Sequence, residues 1–177
     1  MAYSAKFNSC LKLILNSEGG NDDDKDDKGG RTGQGITQAE YTEWLEAQGK
    51  DSADVFDITK ADRDRLYYER YWLTVSADKL PLAIAYPIFD AGILSGVGYS
   101  RKLAQKVVGV RQDGQLGPIS IAALNAVDKV TFINRFCDLR RDYLASRSTA
   151  WKFGNGWKNR QDRVQKQATA MVKFPNP

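Results

Sequence analysis

The stretch EGGNDDDKDDKGGRTGQGIT, residues Glu18 to Thr37, organises the interpretation of the chain. It begins with a carboxylate that directly follows an apolar helical pattern, and it ends on a threonine typical of a helix cap. Asn21–Lys28 is polar and lacks periodicity, which predicts a loop, whereas the four glycines within Gly29–Ile36 predict a tight β-hairpin. The stretch therefore predicts a helix end, a loop, a hairpin and a new helix in succession.

The helix before this stretch is predicted by apolar residues that recur at helical spacing over Tyr3–Asn16. At about 100° per residue, Glu18 falls in line with Phe7, Leu11 and Ile14, so its carboxylate belongs to the buried face. The following glycines are a common way to end a helix. The alternative is that Glu18 turns towards solvent in a frayed last turn.

The acidic run invites comparison with a calcium-binding EF-hand loop. Asp22, Asp24 and Asp26 occupy the first three ligand positions of that loop. Asp27 stands where the loop requires glycine, however, and Gly33 stands where a bidentate glutamate belongs. The EF-hand pattern therefore fails, and we expect neither a metal site nor a cofactor.

The composition restricts the chemistry that the chain can perform. Its 177 residues include no histidine, which excludes Ser-His-Asp, Cys-His and His-metal sites. Carboxylates are then the natural acid–base groups. The two cysteines, Cys10 and Cys137, are far apart and lack CxxC spacing, which disfavours a disulfide framework or a zinc site. Cys10 falls on an apolar helix face and predicts a buried, reduced thiol.

Charge is distributed unevenly along the sequence. Six acidic residues and two lysines lie within Glu18–Lys28, whereas ten Lys/Arg face three Asp/Glu from Asn134 to the end. A basic C-terminal third suggests nucleic acid, an anionic membrane or an acidic wall polymer as partner, and a plain solvated surface is the alternative. The basic residues lack interleaved aromatic stacking motifs, which disfavours nucleic acid.

Helical patterns continue along the rest of the chain. The most apolar one opens at Pro81 and ends at Gly96 and Gly98, and its length and interruptions favour a core helix over a membrane span. Asp90, its one ionisable residue, is either paired and buried or faces a cleft. Further helices are predicted at Ser100–Val108, Pro118–Ala126, Lys129–Arg147 and Trp157–Val172.

Two capping boxes and an aromatic cluster precede that apolar helix. Thr37 with Glu40, and Thr59 with Asp62, have the spacing of helix N-caps. The segment after the second cap is dense in aromatic residues, which either fill the core or form a wall for stacking sugar rings. These aromatic residues are Tyr67, Tyr68, Tyr71 and Trp72.

The organising stretch resembles the signature EGGY-x-x-D-x-x-D-x-GG-x-T-x-x-GIT of glycoside hydrolase family 108, the N-acetylmuramidases of bacteriophage endolysins and bacterial autolysins. The matching residues are Glu18-Gly19-Gly20, Asp24, Asp27, Gly29-Gly30, Thr32 and Gly35-Ile36-Thr37. Downstream resemblances are Tyr71-Trp72, Leu80-Pro81, Phe89-Asp90, Ser95-Gly96, Asp113-Gly114, Leu116-Gly117-Pro118 and a terminal GW-x-NR element within Phe153–Arg160. The resemblance thus covers nearly the whole chain.

The resemblance implies a peptidoglycan substrate, with Glu18 as the catalytic acid and with Asp27 and Thr32 positioning the attacking water. We expect substrate contacts from Arg31, Gln34, Tyr71, Trp72 and Asp90.

Three positions depart from the family pattern. Asn21 replaces a tyrosine, so a group at the edge of the cleft is missing. Arg31 replaces a small residue and would add a contact to an acidic peptide or a carboxylate of the glycan. Leu94 replaces an asparagine, and no substrate-binding role is assigned to it.

The predicted fold is mainly α, a lysozyme-like α+β arrangement in which a helical bundle surrounds a long apolar helix, with one small β-hairpin near the N-terminus. Residues 1–97 are expected to form the glycosidase lobe. Residues 98–177 are expected to form a helical lobe similar to peptidoglycan-binding modules, packed on the first.

Two other functions remain open from the sequence: a lytic transglycosylase, and a non-catalytic peptidoglycan-binding protein. We expect a monomer that is made in a host cytoplasm and acts on the periplasmic wall during lysis, because no secretory leader is recognisable. The basic C-terminal helices would contact an anionic outer-membrane or wall surface. No nucleic-acid partner is expected.

Overall fold

The computed structural model describes residues 3–16 and 31–173. In this part of the chain the helices are α1 (Ala5–Leu15), α2 (Gln38–Glu46), α3 (Lys60–Tyr67), α4 (Leu82–Ser95), α5 (Val97–Val107), α6 (Pro118–Ala126), α7 (Lys129–Ala145) and α8 (Ala150–Lys173). Short 3-10 turns lie at Val55–Asp57 and Ala77–Lys79, and a π-type turn lies at Tyr68–Trp72. An antiparallel hairpin pairs β1 (Thr32–Gly33) with β2 (Ile36–Thr37). The mainly α-helical prediction with one small hairpin is confirmed.

The chain divides into two compact units. The smaller unit is Asn8–Arg70, and the larger one combines Met1–Phe7 with Tyr71–Pro177. The lobes predicted from the sequence meet between residues 97 and 98 instead. That position falls inside the larger unit, where α4 and α5 pack against each other. The structural units therefore differ from the predicted lobes, and the functional division stays a prediction.

In the smaller unit, capping threonines start two helices as predicted. The Thr37 hydroxyl accepts a hydrogen bond from the backbone N–H of Glu40 at 3.3 Å, at the start of α2. The Thr59 hydroxyl accepts one from the N–H of Asp62 at 3.1 Å, at the start of α3. Each bond satisfies a backbone donor that has no partner within its helix, which fixes where the helix begins.

The core of the larger unit is built around α4. Its residues from Leu82 to Gly92 are buried, and α5, α7 and α8 pack against it. Phe7, Trp72 and Phe89 contact one another here, with the Trp72 ring centroid 5.5 Å from that of Phe7 and 5.3 Å from that of Phe89. Among the helices of the described ranges, none combines the length and apolarity needed to span a bilayer.

Two predicted helix boundaries are wrong, and both errors involve glycine. Gly98 lies in the first turn of α5 and does not belong to a break, because the chain turns at Gly96, whose φ is 88°. Helix α8 begins at Ala150 and not near Trp157. Glycines cost helix stability because they lose more backbone freedom on folding. Contact between the Phe153 and Trp157 rings, 5.9 Å apart one turn along α8, offsets part of that cost.

Both cysteines are buried as thiols, as predicted for Cys10. Burial in α7 raises the pKa of the Cys137 thiol to about 11. The thiolate that reacts with oxidants and metals is therefore scarce at neutral pH.

Candidate active site

Only one of the three predicted catalytic residues lies within the described part of the chain. Glu18 and Asp27 lie outside the described residues, whereas Thr32 lies in β1. The helix that leads towards Glu18 has the predicted buried stripe: Phe7 and Ile14 have no exposed surface, and Leu11 is 4% exposed. The face of α1 with which Glu18 is in phase is therefore the buried one up to Leu15, the last residue of the helix.

The hairpin that carries Thr32 turns through two residues in left-handed backbone conformations. Gln34 has φ 51° and Gly35 has φ 81°, the pairing that a tight two-residue hairpin turn requires. For Gln34 this conformation is strained. Its carbonyl accepts a hydrogen bond from the Tyr67 hydroxyl at 3.2 Å, and its side-chain oxygen accepts one from Arg63 at 2.7 Å. Its amide nitrogen donates to the carbonyl of Ile58 at 3.3 Å.

The flanks of the hairpin are fixed as tightly as its turn. A Cβ atom at Gly33 would lie 2.5 Å from the carbonyl oxygen of Val55, so only glycine fits beside Thr32. The backbone N–H of Gln38 donates to the carbonyl of Arg31 at 2.8 Å. The Gln38 side chain spans Ala53 and Val55, donating to the carbonyl of the first and accepting from the N–H of the second, both at 2.8 Å. Thr32 is thus held on a preorganised element.

Arg31 has an internal partner next to Thr32. Its guanidinium donates two hydrogen bonds to the Asp54 carboxylate, at 3.0 and 2.7 Å, and lies 3.6 Å from the centroid of the Phe56 ring. These bonds are the main reason that the pKa of Asp54 lies below its ordinary value. A substrate carboxylate at Arg31 would have to share the guanidinium with Asp54, and the predicted contact stays a prediction.

Arg63 joins the hairpin to a cavity in the smaller unit. It donates to the Asp64 carboxylate at 2.8 and 2.6 Å, in addition to its bond with Gln34. The cavity, of about 400 Å³, lies between the second half of α1 and the start of α3. Its lining residues are Asn8, Leu11, Lys12, Leu15, Asn16, Lys60, Arg63 and Asp64. Three cations face one carboxylate there, so an anionic group is electrostatically favoured.

The predicted aromatic wall is largely core. Tyr67 and Trp72 have no exposed surface. Tyr67 uses its hydroxyl to hold the hairpin, and Trp72 packs between Phe7 and Phe89. Trp72 therefore offers no face on which a sugar ring can stack. Tyr71 is half-buried, and its contact with substrate stays a prediction.

Asp90 is paired and buried, the first of the two alternatives that the sequence left open. Its carboxylate is 1% exposed and lies 2.6 Å from an Arg140 nitrogen and 2.8 Å from an Arg160 nitrogen. Burial alone would raise the pKa of Asp90, but the two guanidinium groups hold it below its ordinary value. The cluster joins α4, α7 and α8 within the core. A direct substrate contact from Asp90 does not fit this position.

Sequence reasoning missed Arg63 and Asp54, the residues that fix Gln34 and Arg31. A weak signal existed for Arg63, because a cation in the first turn of a helix opposes the helix dipole and usually has a partner. No sequence pattern pairs Arg63 with Gln34, which lies 29 residues earlier. Within residues 3–16 and 31–173, no group of three or more His, Cys, Asp or Glu is placed to hold a metal ion.

The class of protein follows from these features together with the comparisons. A mainly helical fold, an apolar helix leading to the EGG motif and a short hairpin carrying Thr32 define a lysozyme-like arrangement. The sequence profile described as Glycosyl hydrolase 108 matches residues 11–96. A solved structure from Brucella abortus, titled as the structure of SagA, is 36% identical with a TM-score of 0.86, and the match covers 93% of this chain and 94% of that chain.

The chain belongs to glycoside hydrolase family 108. A comparison with curated proteins gave no significant match. Membership of the family makes the chain a glycoside hydrolase and supports peptidoglycan as the polymer on which it acts.

Proposed function

We propose that the chain is an N-acetylmuramidase that hydrolyses the β-1,4 bond between N-acetylmuramic acid and N-acetylglucosamine in peptidoglycan. Glu18 protonates the leaving oxygen, while Asp27 and Thr32 orient the attacking water. Because Asp27 acts through water and not as a nucleophile in this scheme, the product anomer is inverted. NMR of the first product anomer tests the stereochemistry.

The observation that carries the proposal is the fixed placement of Thr32 in a chain of family 108. A group that orients water contributes most when its position is set before substrate binds. The turn beside Thr32 is held by Tyr67 and Arg63, and Gly33 fits against Val55 without space for a side chain. Such bracing supports a catalytic role for the hairpin, because an ordinary surface turn does not need it.

The role of Glu18 rests on its position in the sequence. A general acid must keep its proton near neutral pH, and both an apolar environment and the negative end of a helix dipole raise a carboxyl pKa. Phe7, Leu11 and Ile14 are the buried face of α1, and Glu18 is in phase with them. The cationic cavity between α1 and α3 supports a substrate that carries carboxylates, as the stem peptides and lactyl groups of peptidoglycan do.

Glu18→Gln tests the catalytic assignment. We expect it to lower the rate of muropeptide release by about 10²–10⁴-fold, the usual contribution of a general acid. Thr32→Val, which removes the hydroxyl at similar volume, should cause a smaller loss in the same assay. The rate is measured as new reducing ends from purified peptidoglycan, with circular dichroism to check the fold.

Glu46→Gln is the matched control, because Glu46 is exposed at the end of α2 and should tolerate the same change. A Glu18 variant that keeps the rate of the Glu46 variant would refute the proposal. Mass spectrometry of the products separates the rivals. Hydrolysis adds one water per cleavage, a transglycosylase yields a 1,6-anhydro sugar, and a binding protein releases no soluble glycan.

The biological role that we propose is bacterial lysis by a phage endolysin that reaches the periplasm from the host cytoplasm. The match of the family profile ends at residue 96, which supports residues 1–97 as the glycosidase segment. Contact of the C-terminal helices with an anionic surface depends on fewer charges than the sequence suggests. Arg140 and Arg160 bind Asp90 inside the core, and Arg141 and Lys158 both bind Asp162.

A further inference from the structure

A cavity of about 360 Å³ lies between α7 and α8, within the larger unit. It is formed by the end of α7 and the first three turns of α8, and its surface is mostly apolar. The residues that line it are Arg141, Leu144, Ala145, Ala150, Gly154, Trp157, Lys158 and Gln161. None of these residues takes part in the proposed hydrolysis.

Gln161 is the unusual member of this lining. Its side chain has no exposed surface, and neither its amide nitrogen nor its amide oxygen has a hydrogen-bond partner. Buried polar atoms are nearly always paired, because an unpaired one loses its hydration without compensation. An amide with both ends unpaired in the lining of a cavity is therefore suited to a ligand that satisfies it.

The chemistry of an amide narrows the class of ligand. Its N–H group needs an acceptor and its carbonyl needs a donor. A ring hydroxyl of an N-acetylated amino sugar can accept the first bond, and the N–H of the neighbouring acetamido group can donate the second. Its methyl group suits the apolar wall made by Leu144, Ala145 and Ala150, and the ring of Trp157 suits the apolar face of a pyranose.

The charges at the rim favour a neutral ligand. Arg141 donates to the Asp138 carboxylate at 2.9 Å and to that of Asp162 at 3.0 Å. Lys158 donates to the same Asp162 carboxylate at 3.0 Å. Two cations thus face two carboxylates at this rim, and their field on an incoming anion is largely cancelled. Phosphate and phospholipid headgroups are disfavoured relative to an uncharged sugar.

We propose that the cavity between α7 and α8 is a non-catalytic binding site for an N-acetylglucosamine unit of a glycan strand. Trp157 stacks on the sugar ring, and Gln161 accepts a hydrogen bond from its acetamido N–H and donates one to the neighbouring ring hydroxyl. Because the amide of Gln161 is buried beneath the cavity surface, binding includes a rotation of this side chain into the cavity. The choice of ligand rests on the proposed peptidoglycan substrate.

Titration of the ¹⁵N-labelled full chain with N-acetylglucosamine tests this site by NMR. We expect shifts of the Trp157 indole and the Gln161 side-chain amide resonances. Glucosamine, which lacks the acetyl group, should leave both resonances in place at the same concentrations. Gln161→Met keeps the volume and removes the amide, and it should weaken binding at Trp157 by about tenfold. Gln115→Met, at an exposed position, should have no effect.

Unchanged Trp157 and Gln161 resonances in N-acetylglucosamine would overturn the proposal, and so would equal shifts with glucosamine or full affinity in Gln161→Met. Thermal unfolding of each variant shows whether the chain is folded. The monosaccharide is not hydrolysed, so the result does not depend on turnover. If Glu18→Gln abolishes activity but no sugar binds at Trp157 in the wild-type chain, the hydrolase assignment stands and only the proposed second site is refuted.

Discussion

Two glutamines buried in the larger unit have opposite surroundings. Gln105, on α5, is 1% exposed, and its amide nitrogen donates to Asp113, Gln115 and Ser120 at 2.7–3.0 Å. Its amide oxygen accepts from the backbone N–H of Gly114 at 2.8 Å. Gln161, on α8, is buried as completely, yet neither end of its amide is bonded.

The difference separates a structural side chain from one available to a ligand. Gln105 fixes the Asp113-Gly114 turn by replacing the water that its atoms would otherwise bind. Gln161 forms no such hydrogen bonds within the fold, and it lines a cavity. Equal burial therefore says little about the role of a polar side chain, whereas the pairing of its atoms says much.

The largest effect should come from Asp90. Like Gln105 it is buried and fully paired, but it carries a full charge and its partners are two arginines. Asp90→Asn leaves Arg140 and Arg160 without their counterion in the core, and we expect a loss of about 3–5 kcal/mol in the free energy of unfolding at pH 7. Folding lowers the pKa of Asp90, so its contribution is complete above the unfolded value of about 3.9 and is lost as the pH falls through the folded value. Urea unfolding at pH 7 and pH 3 measures both effects.

Asp138→Asn is the control for this prediction. Asp138 also binds an arginine, but its side chain is 59% exposed, so the pair contributes little. The difference in the free energy of unfolding between wild type and the Asp90 variant should narrow at low pH. The corresponding difference for the Asp138 variant should stay small at both pH values. Equal losses in the two variants would show that burial and pairing of Asp90 do not stabilise the core.

Much of the fold could be predicted from the sequence because its signals are local. Helix α6 has the predicted bounds, Pro118 to Ala126, since proline suits a first turn and the apolar spacing is regular. The caps at Thr37 and Thr59 likewise depend on residues three positions apart. The start of α8 is mispredicted because its glycines resemble a break, although Phe153 and Trp157, four positions apart, carry a local signal in favour of the helix.

The site was less predictable because its bonds join distant segments. The pattern around Thr32 indicates a hairpin, but only the structure shows Arg63 bonded to Gln34 and Arg31 bonded to Asp54. The aromatic density around Trp72 leaves core packing and sugar stacking both open, because residue type alone cannot separate a core tryptophan from a surface one. The unpaired amide of Gln161 has no signature in the sequence at all.

Gln105→Met should have the second-largest effect. It tests whether the hydrogen bonds of Gln105 stabilise the fold, as the comparison with Gln161 requires. The substitution keeps the volume but removes the partners of Gly114 N–H and of the Ser120 hydroxyl, both at buried residues. We expect the free energy of unfolding to fall by about 2–3 kcal/mol. Hydrogen exchange of the Gly114 amide should accelerate as the turn loosens. A variant as stable as wild type would mean that the turn holds without Gln105.

The smallest change, and one of opposite sign, is expected for Gln161→Met. An unpaired buried amide destabilises the folded state, so a side chain of similar volume without polar atoms should raise the free energy of unfolding by about 1 kcal/mol. For a chain of this size, the melting temperature should rise by about 2–4 °C, measured by calorimetry without sugar. Gln115→Met should leave it unchanged, because Gln115 is exposed. A lower melting temperature in the Gln161 variant would show that its amide is already paired in the folded protein, and the contrast with Gln105 would disappear. A higher one, combined with weaker binding of N-acetylglucosamine, would show that the chain gives up stability at Gln161 to retain a group for its ligand.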